Sequence, residues 1–478
     1  MIGKGSRKVA AGLFLVTTIL LSTTGCWDRA EINELAIVFA SGIDWEEDHW
    51  VVTAGIVQTA GQQGGGGRES SGTTGGSIRP AFVVSARGAT VLEAQQNLGL
   101  FTARRPRWDH AAALIIGEAA AKHGIEEILD LWTRSEALRT TTMVGLVRGK
   151  AQDFIVEAQP GLETSLGETL PGIIRLGNPM GISATLTLHR LVRNLSSESH
   201  ASIVTLFGLV AEPQPPPPGT SAPPPPEGGG GSGGGGGQPG GQGGQSPVAP
   251  RRSESDPSSL VQQGRYLPPA SPLAVVQVQG TGIIFDGKLA GYLDLHATRG
   301  VFWLTAPPRN AVISVSCPGP SETPEVSVLI EDIDLATKVS STQADIALNV
   351  TATLNEQACL RVKEAGVVGP HAVGAEEKLA VVAAEVAKHI EGEIRAALAA
   401  TQRLGADVFG FGVILHRQNP GEWEGIKNRW PDLYRNLPVT INVKIKFVST
   451  GLTIGPPTIT PPPANSNRGS SNSVGSGG

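Results

Sequence analysis

Cysteine is scarce in this chain, with three among 478 residues. That excludes a disulfide-stapled scaffold. With no Cys-x-x-Cys pair and no His-Glu-x-x-His, there is no zinc-site signature either. Basic excess is lacking too: the net charge is −5 and the pI about 6.0, so no field draws nucleic acid. Beyond the first 26 residues no run approaches the roughly 18 consecutive apolar residues of a membrane span. No Gly-x-Ser-x-Gly elbow occurs. His123, His189, His296, His389 and His416 lie far apart, and Asp109-His110 would face opposite sides of a strand. Gly282 to Lys288 has the outline of a phosphate loop. However, Leu289 stands where a hydroxyl should hold magnesium, and the residues read better as a hairpin tip. The many acidic residues could still pair in space, which keeps a carboxylate hydrolase open as an alternative. The sequence calls for no cofactor and no metal.

What is present begins at the N terminus. Lys4, Arg7 and Lys8 precede an almost wholly apolar stretch from Val9 to Leu21, and Ser22-Thr23-Thr24-Gly25-Cys26 closes it. That is the order of a secretory signal. A cysteine after the small residues points to a lipoprotein signal at 1–25, with Cys26 as the new first residue carrying a diacylglyceryl group. Each buried CH₂ of such chains contributes roughly 0.8 kcal/mol, and two chains hold a protein on a bilayer where one does not. Lipoprotein signals usually place leucine where Thr23 stands, so an uncleaved helical anchor is the competing reading. Outside the cytoplasm Cys317 and Cys359 are free to oxidise, and both a bridge and two buried thiols remain open.

Composition divides the rest. From 212 to 258 the chain is dominated by proline runs followed by glycine runs. Such a stretch buries too little to offset its ordering entropy and is expected to be a disordered linker. It separates an N-terminal domain at 26–211 from a C-terminal domain at 259–455, and for the latter one domain and two subdomains both remain open. Residues 456–478 are expected to form a disordered tail, and Gly61 to Ser77 a loop. In the first domain, Leu35–Ile43 and Trp50–Thr59 read as a hairpin and Ala81–Ala86 as a third strand. Thr90 and Glu93 have capping-box spacing. His110–Gly117 and Met143–Arg148 read as strands around an amphipathic helix carrying Ile125, Ile128, Leu129 and Trp132.

The second domain has sharper signals. Asp286-Gly287 between apolar runs marks a two-residue hairpin. Val326–Ile333 and Ala344–Leu354 read as strands. Glu376–Leu404 reads as one long helix with a stripe of Leu379, Val382, Val386, Ile390, Ile394 and Leu398, and a Glu391–Arg395 pair on another face. Val439, Ile441, Val443, Ile445 and Phe447 alternate with polar residues, a half-buried strand. Aromatics are only 5% of the chain, yet Trp423, Trp430 and Tyr434 fall within twelve positions. They read either as a buried helix on the final strand or as a partner-binding surface, since Trp and Tyr concentrate at contact centres. The fold class is α+β: a multidomain ectodomain of mixed sheets with packed helices.

Cys26-Trp27-Asp28-Arg29-Ala30-Glu31-Ile32-Asn33-Glu34-Leu35-Ala36 resembles the mature start of C-subunit lipoproteins of bacterial spore germinant receptors, the Ger(x)C family. Further stretches follow in family order. Arg105 to His110 leads into Leu114 to Glu118, and Arg134 to Arg139 follows the helix. Gly280-Thr281-Gly282 leads into Lys288 to Leu293, and Asp407 to Gly412 leads into Trp423 and Trp430. The resemblance implies a three-domain α+β ectodomain and a non-catalytic subunit of a nutrient germinant receptor. Its partners would be integral-membrane A-type and B-type subunits, with no nucleic acid. Its place would be the outer face of the spore inner membrane, held there by diacylglyceryl-Cys26. Trp27, Asp28, Glu31, Trp423 and Trp430 are the partner-binding candidates. An extracytoplasmic lipoprotein enzyme such as a cell-wall hydrolase, and a solute-binding lipoprotein, are the alternatives.

Overall fold

A computed structural model describes residues 12–15, 17–18, 34–57, 81–135, 138–211, 265–266, 274–316, 325–356 and 375–449. Cys26, Trp27, Asp28, Glu31, Cys317, Cys359, the linker at 212–258, the 61–77 loop and the tail lie outside them. Among the described residues no helix is long and apolar enough to cross a membrane. The chain divides into two compact units: residues 1–171 with 207–277, and residues 172–206 with 278–478.

The first unit is built on strands β1 (Leu35–Glu46), β2 (His49–Val57), β3 (Ala81–Gly88), β4 (Arg105–Arg107), β5 (Ala113–Gly117) and β6 (Met143–Val147), with the short β7 (Ala158–Gln159). Its helices are α1 (Val91–Asn97), α2 (Glu118–His123), α3 (Glu126–Arg134) and α4 (Ala151–Glu157). The expected hairpin forms, with Trp45 opposite Trp50 and Glu46 opposite His49. β3 pairs antiparallel with β2. β5 lies parallel to β1, and β6 parallel to β5. A parallel pair needs a crossover, and α2 and α3 supply it between β5 and β6. All five β5 residues are buried, as a strand covered on both faces requires. The strand starts at Ala113 rather than His110, because Trp108 is buried and its carbonyl accepts the Ala111 N–H in a turn (3.0 Å). Thr90 caps α1 by accepting the Glu93 N–H (3.1 Å); Glu93 answers to the Ala89 N–H (2.8 Å), one residue earlier than a standard box.

Helix α5 (Leu166–Gly177) contains Pro171, and the division between units falls there. By its contacts the second unit takes α6 (Leu188–Leu195) and the start of β8 (Ala201–Ala211). The cause is local bonding. Pro179 carbonyl accepts the Asn310 N–H (3.0 Å), and His200 carbonyl accepts the Asp286 N–H (3.1 Å). β9 (Arg265–Tyr266) belongs to the first unit, pairing with β3.

β10 (Ala274–Phe285) and β11 (Lys288–Leu293) form the expected hairpin. Asp286 and Gly287 both have positive φ, 47° and 73°, the requirement of a type I′ turn. Helix α7 (Leu295–Thr305) follows, capped by Asp294, which accepts the Ala297 N–H (2.8 Å). A four-stranded sheet runs β12 (Val312–Ser316), β13 (Glu325–Val339), β14 (Ala344–Glu356), β15 (Val439–Ser449). β14 and β15 are parallel, and α8 (Ala375–Leu404) lies between them in the chain, packed on β15, β12 and α7. Val382, Val386, Ile390, Ile394 and Leu398 of α8 are buried as a stripe. Each contributes roughly 1.5–3 kcal/mol by leaving water. Arg395 Nε donates to Glu391 (2.7 Å) on the outer face.

Candidate functional site

The residues between α8 and β15 form α9 (Phe411–Gln418), α10 (Pro420–Ile426) and α11 (Trp430–Arg435). The aromatic triplet does not lie on one helix, because Pro431 cannot continue the hydrogen-bond ladder and a 3₁₀ turn at Lys427–Arg429 intervenes. Trp423, Trp430 and Tyr434 are 3%, 1% and 0% exposed. Burial is therefore the reading that holds for them, and the contact-surface reading of Trp423 and Trp430 is corrected: neither indole has a free face. Trp423 packs on Trp430 and on His416 of α9, and α11, which carries Trp430 and Tyr434, packs on α8, where Tyr434 Oη lies 2.7 Å from Thr401 Oγ1.

Asp407 sits at the centre of this aromatic group. Its carboxylate accepts the Phe411 N–H (2.9 Å), the Gly412 N–H (2.7 Å), the Trp430 Nε1–H (3.0 Å) and the Ser199 hydroxyl (3.1 Å). Two of these donors are the orphan amides at the start of α9, where a carboxylate is also favoured by the helix dipole. Burial pushes the Asp407 carboxyl up, and the four donors offset only part of that. Beside it, His416 Nδ1 meets Glu198 (2.7 Å). Ser199 and Glu198 thus fasten the 172–206 segment to the remainder of the second unit.

A second buried carboxylate, Glu393, stands on α8 with no exposed surface. Arg299 of α7 clasps it with Nε (2.8 Å and 3.0 Å) and Nη2, and Trp303 Nε1 donates to it (2.7 Å). His389, one turn earlier, lies 3.2 Å away. Burial pushes this carboxyl up, but the bonds from His389 and Arg299, the Arg299 charge and the Trp303 donor outweigh it and hold it below the usual range.

The third is Asp44 of β1, in the first unit, which accepts the Ala151 N–H (2.7 Å) and the Gln152 N–H (2.9 Å) at the start of α4. Any Cβ at Gly117 would overlap its Oδ1. Burial raises its pKa from 3.8 to about 6. The two amide bonds work against that rise, and the neighbouring Glu46 and Asp153 add to it. Glu46 pairs with Lys150 and Arg87, each at 2.9 Å.

Each carboxylate is thus occupied by donors from its own unit. The arrangement braces helix starts and helix pairs. Among the described residues no group of three or more His, Cys, Asp or Glu is placed to hold a metal. Of the sequence candidates, Trp430 donates to Asp407 and Trp423 packs on Trp430, while Cys26, Trp27, Asp28 and Glu31 lie outside the described residues. The Glu393 group was missed. Its one sequence signal is the i,i+4 spacing of His389 and Glu393 within the α8 pattern, and Arg299 and Trp303 carry no mark of partnership with it.

Two family profiles match the chain. The spore germination protein N-terminal domain covers 28–208, and the spore germination B3/GerAC-like C-terminal domain covers 279–451. Spore germination protein KC of Bacillus subtilis (strain 168) is 22% identical over 94% of this chain and 97% of its own length. YfkR of the same organism is 39% identical, but over 31% of this chain and 38% of that protein. Spore germination protein B3 is 27% identical over 32% and 39%. The crystal structure of GerBC is similar at a TM-score of 0.44 and 13% identity, covering 86% of this chain and 97% of that one. The two profiles in order and the near full-length alignment with KC place the chain in the Ger(x)C family of spore germination proteins.

Proposed function

We propose that this chain is a lipid-anchored, non-catalytic subunit of a nutrient germinant receptor. It acts in spore germination by docking on integral-membrane A-type and B-type subunits at the outer face of the spore inner membrane. The observation that carries the reading is the alignment with spore germination protein KC along nearly the whole length of both chains. The apolar segment ending in small residues and Cys26 supports the anchor. Acyl chains on Cys26 would confine both units to a thin layer above the bilayer and raise their effective concentration near membrane-embedded partners. Carboxylates spent on bracing helices suit a chain whose task is to keep its shape while partners bind.

The test is to isolate the native chain from spore membranes. The expected product starts at Cys26, carries the mass of a diacylglyceryl group, and brings the two membrane subunits with it in mild detergent. A chain that partitions into the aqueous phase with an unmodified Cys26, or that purifies free of membrane subunits, overturns the reading.

A further inference from the structure

β15 ends the four-stranded sheet of the second unit and pairs on one side only, with β14. Along a strand, successive residues turn their backbone groups to opposite sides. Pro438 carbonyl accepts the Ala344 N–H of β14 (2.9 Å), so Thr440, Asn442, Lys444 and Lys446 also face β14 with their backbone groups. The N–H and C=O groups of Ile441, Val443, Ile445 and Phe447 then point to the open edge. Among the described residues no hydrogen bond engages them. Neither proline nor a bulge blunts this edge between Val439 and Phe447, where the register with β14 is continuous.

Burial is unfinished on the inner face of the same strand. Ile346, Leu348 and Val350 of β14 are buried, whereas Val443, Ile445 and Phe447 are half-buried although α8 packs on β15. On the outer face Lys444 and Lys446 stand exposed, opposite the uncharged Asn349 and Thr351 of β14. Acids on that face lie one strand further away, on β13, and are already engaged. Asp334, opposite Asn349, accepts from its amide (3.4 Å), and Asp332, opposite Thr351, meets Arg309 (3.6 Å). Two cations at alternate positions thus flank an open backbone edge with no acid beside them on β14.

We propose that the open edge of β15 is a docking site for an extended acidic segment of another protein, which adds as a fifth strand with apolar and acidic residues in alternation. Its main chain takes up the free backbone groups, its apolar side chains finish the burial of Val443 and Phe447, and its acids stand beside Lys444 and Lys446. Charge favours this occupant over two others. Lysines on an edge repel a second copy of the same strand. Residues 450–478, which follow β15, contain neither Asp nor Glu and bring no acid to the lysines. The inference goes beyond the reading of the chain as a receptor subunit and requires no lipid on Cys26.

The experiment is hydrogen–deuterium exchange, resolved to single amides, on the full-length chain in mild detergent. The probes are a synthetic peptide of alternating glutamate and valine and its counterpart of alternating lysine and valine. The expected result is fast exchange at Val443, Ile445 and Phe447 in the free chain, slowed by the glutamate peptide and not by the lysine peptide. In Lys444→Glu/Lys446→Glu the preference should invert, with affinity for the glutamate peptide falling roughly tenfold. Slow exchange at Asn442, whose amide faces β14, shows that the variant keeps its sheet. Equal protection by both peptides, or by neither, overturns the acidic docking edge. Slow exchange in the free chain that deepens with protein concentration overturns it in favour of a second copy. Slow exchange that ignores concentration overturns it in favour of a segment of the same chain.

Discussion

Asp44 makes a prediction whose sign runs against the habit of buried carboxylates that strengthen a fold as they ionise. Its folded pKa is about 6 against an ordinary 3.8. Between those values the folded chain holds a proton that the unfolded chain has released, so stability falls as pH rises through the interval. The stabilising share is whole below the unfolded value and is lost through the folded one. From about pH 4 to about pH 7 the loss comes to about 2 kcal/mol for this one group. Asp44→Asn removes the titration. Its amide can still accept one of the two α4 amides but turns an N–H toward the other, a pH-independent cost of about 1–3 kcal/mol. Denaturant unfolding of both chains, followed by tryptophan fluorescence at several pH values, gives the difference in stability. Titrating groups that do not interact with Asp44 cancel in that difference. Wild type should lose ground to the variant by about 2 kcal/mol on going from acid to neutral pH. A difference that stays flat, or that moves in favour of wild type, refutes the account of Asp44 as a carboxyl whose burial outweighs its two amide donors.

Glu393 should behave in the opposite sense. Its pKa is held below the ordinary 4.5, so its contribution is present above that value and is lost as pH falls through the folded one. Glu393→Gln should cost about 3–5 kcal/mol by stranding Arg299, and Arg299→Met with Glu393→Leu should recover much of it, measured by the same unfolding. Trp430→Phe keeps the ring but removes a donor to Asp407. It should cost about 1–3 kcal/mol and raise the Asp407 pKa further, visible in the pH dependence of unfolding. Gly300→Ala would drive a methyl group into the Glu393 backbone carbonyl and should part α7 from α8, lowering the thermal midpoint by several degrees.

Elements that carry their own signal were legible in the sequence. Asp286-Gly287 announces a turn that needs two positive φ values, and the structure has both. The α8 stripe and the β15 alternation follow from periods of 3.6 and 2 and need no neighbour to be recognised. What could not be read depends on residues distant in the chain. The attachment of 172–206 to the second unit rests on Ser199 with Asp407 and Glu198 with His416, pairs more than 200 residues apart. Local pattern has no access to such pairs. The aromatic triplet illustrates the same limit: spacing allowed both a buried and an exposed role, and only burial in the folded chain decides between them. The Asp407 to Gly412 stretch carried the family resemblance, and its physical content is a carboxylate that closes the start of α9.

The parallel pairing of β14 with β15, from Ala344 opposite Val439 onward, has a consequence for biogenesis. A polypeptide leaves the ribosome N-terminus first. β14 is therefore made with its inner residues Ile346, Leu348 and Val350 ready to pack, while the strand that closes its open edge has yet to be synthesised. Some eighty residues, α8 among them, must follow before that edge is sealed. Premature stops far down the reading frame, even just ahead of residue 439, should thus yield chains that stick to one another or feed quality-control proteases, instead of shortened but serviceable proteins.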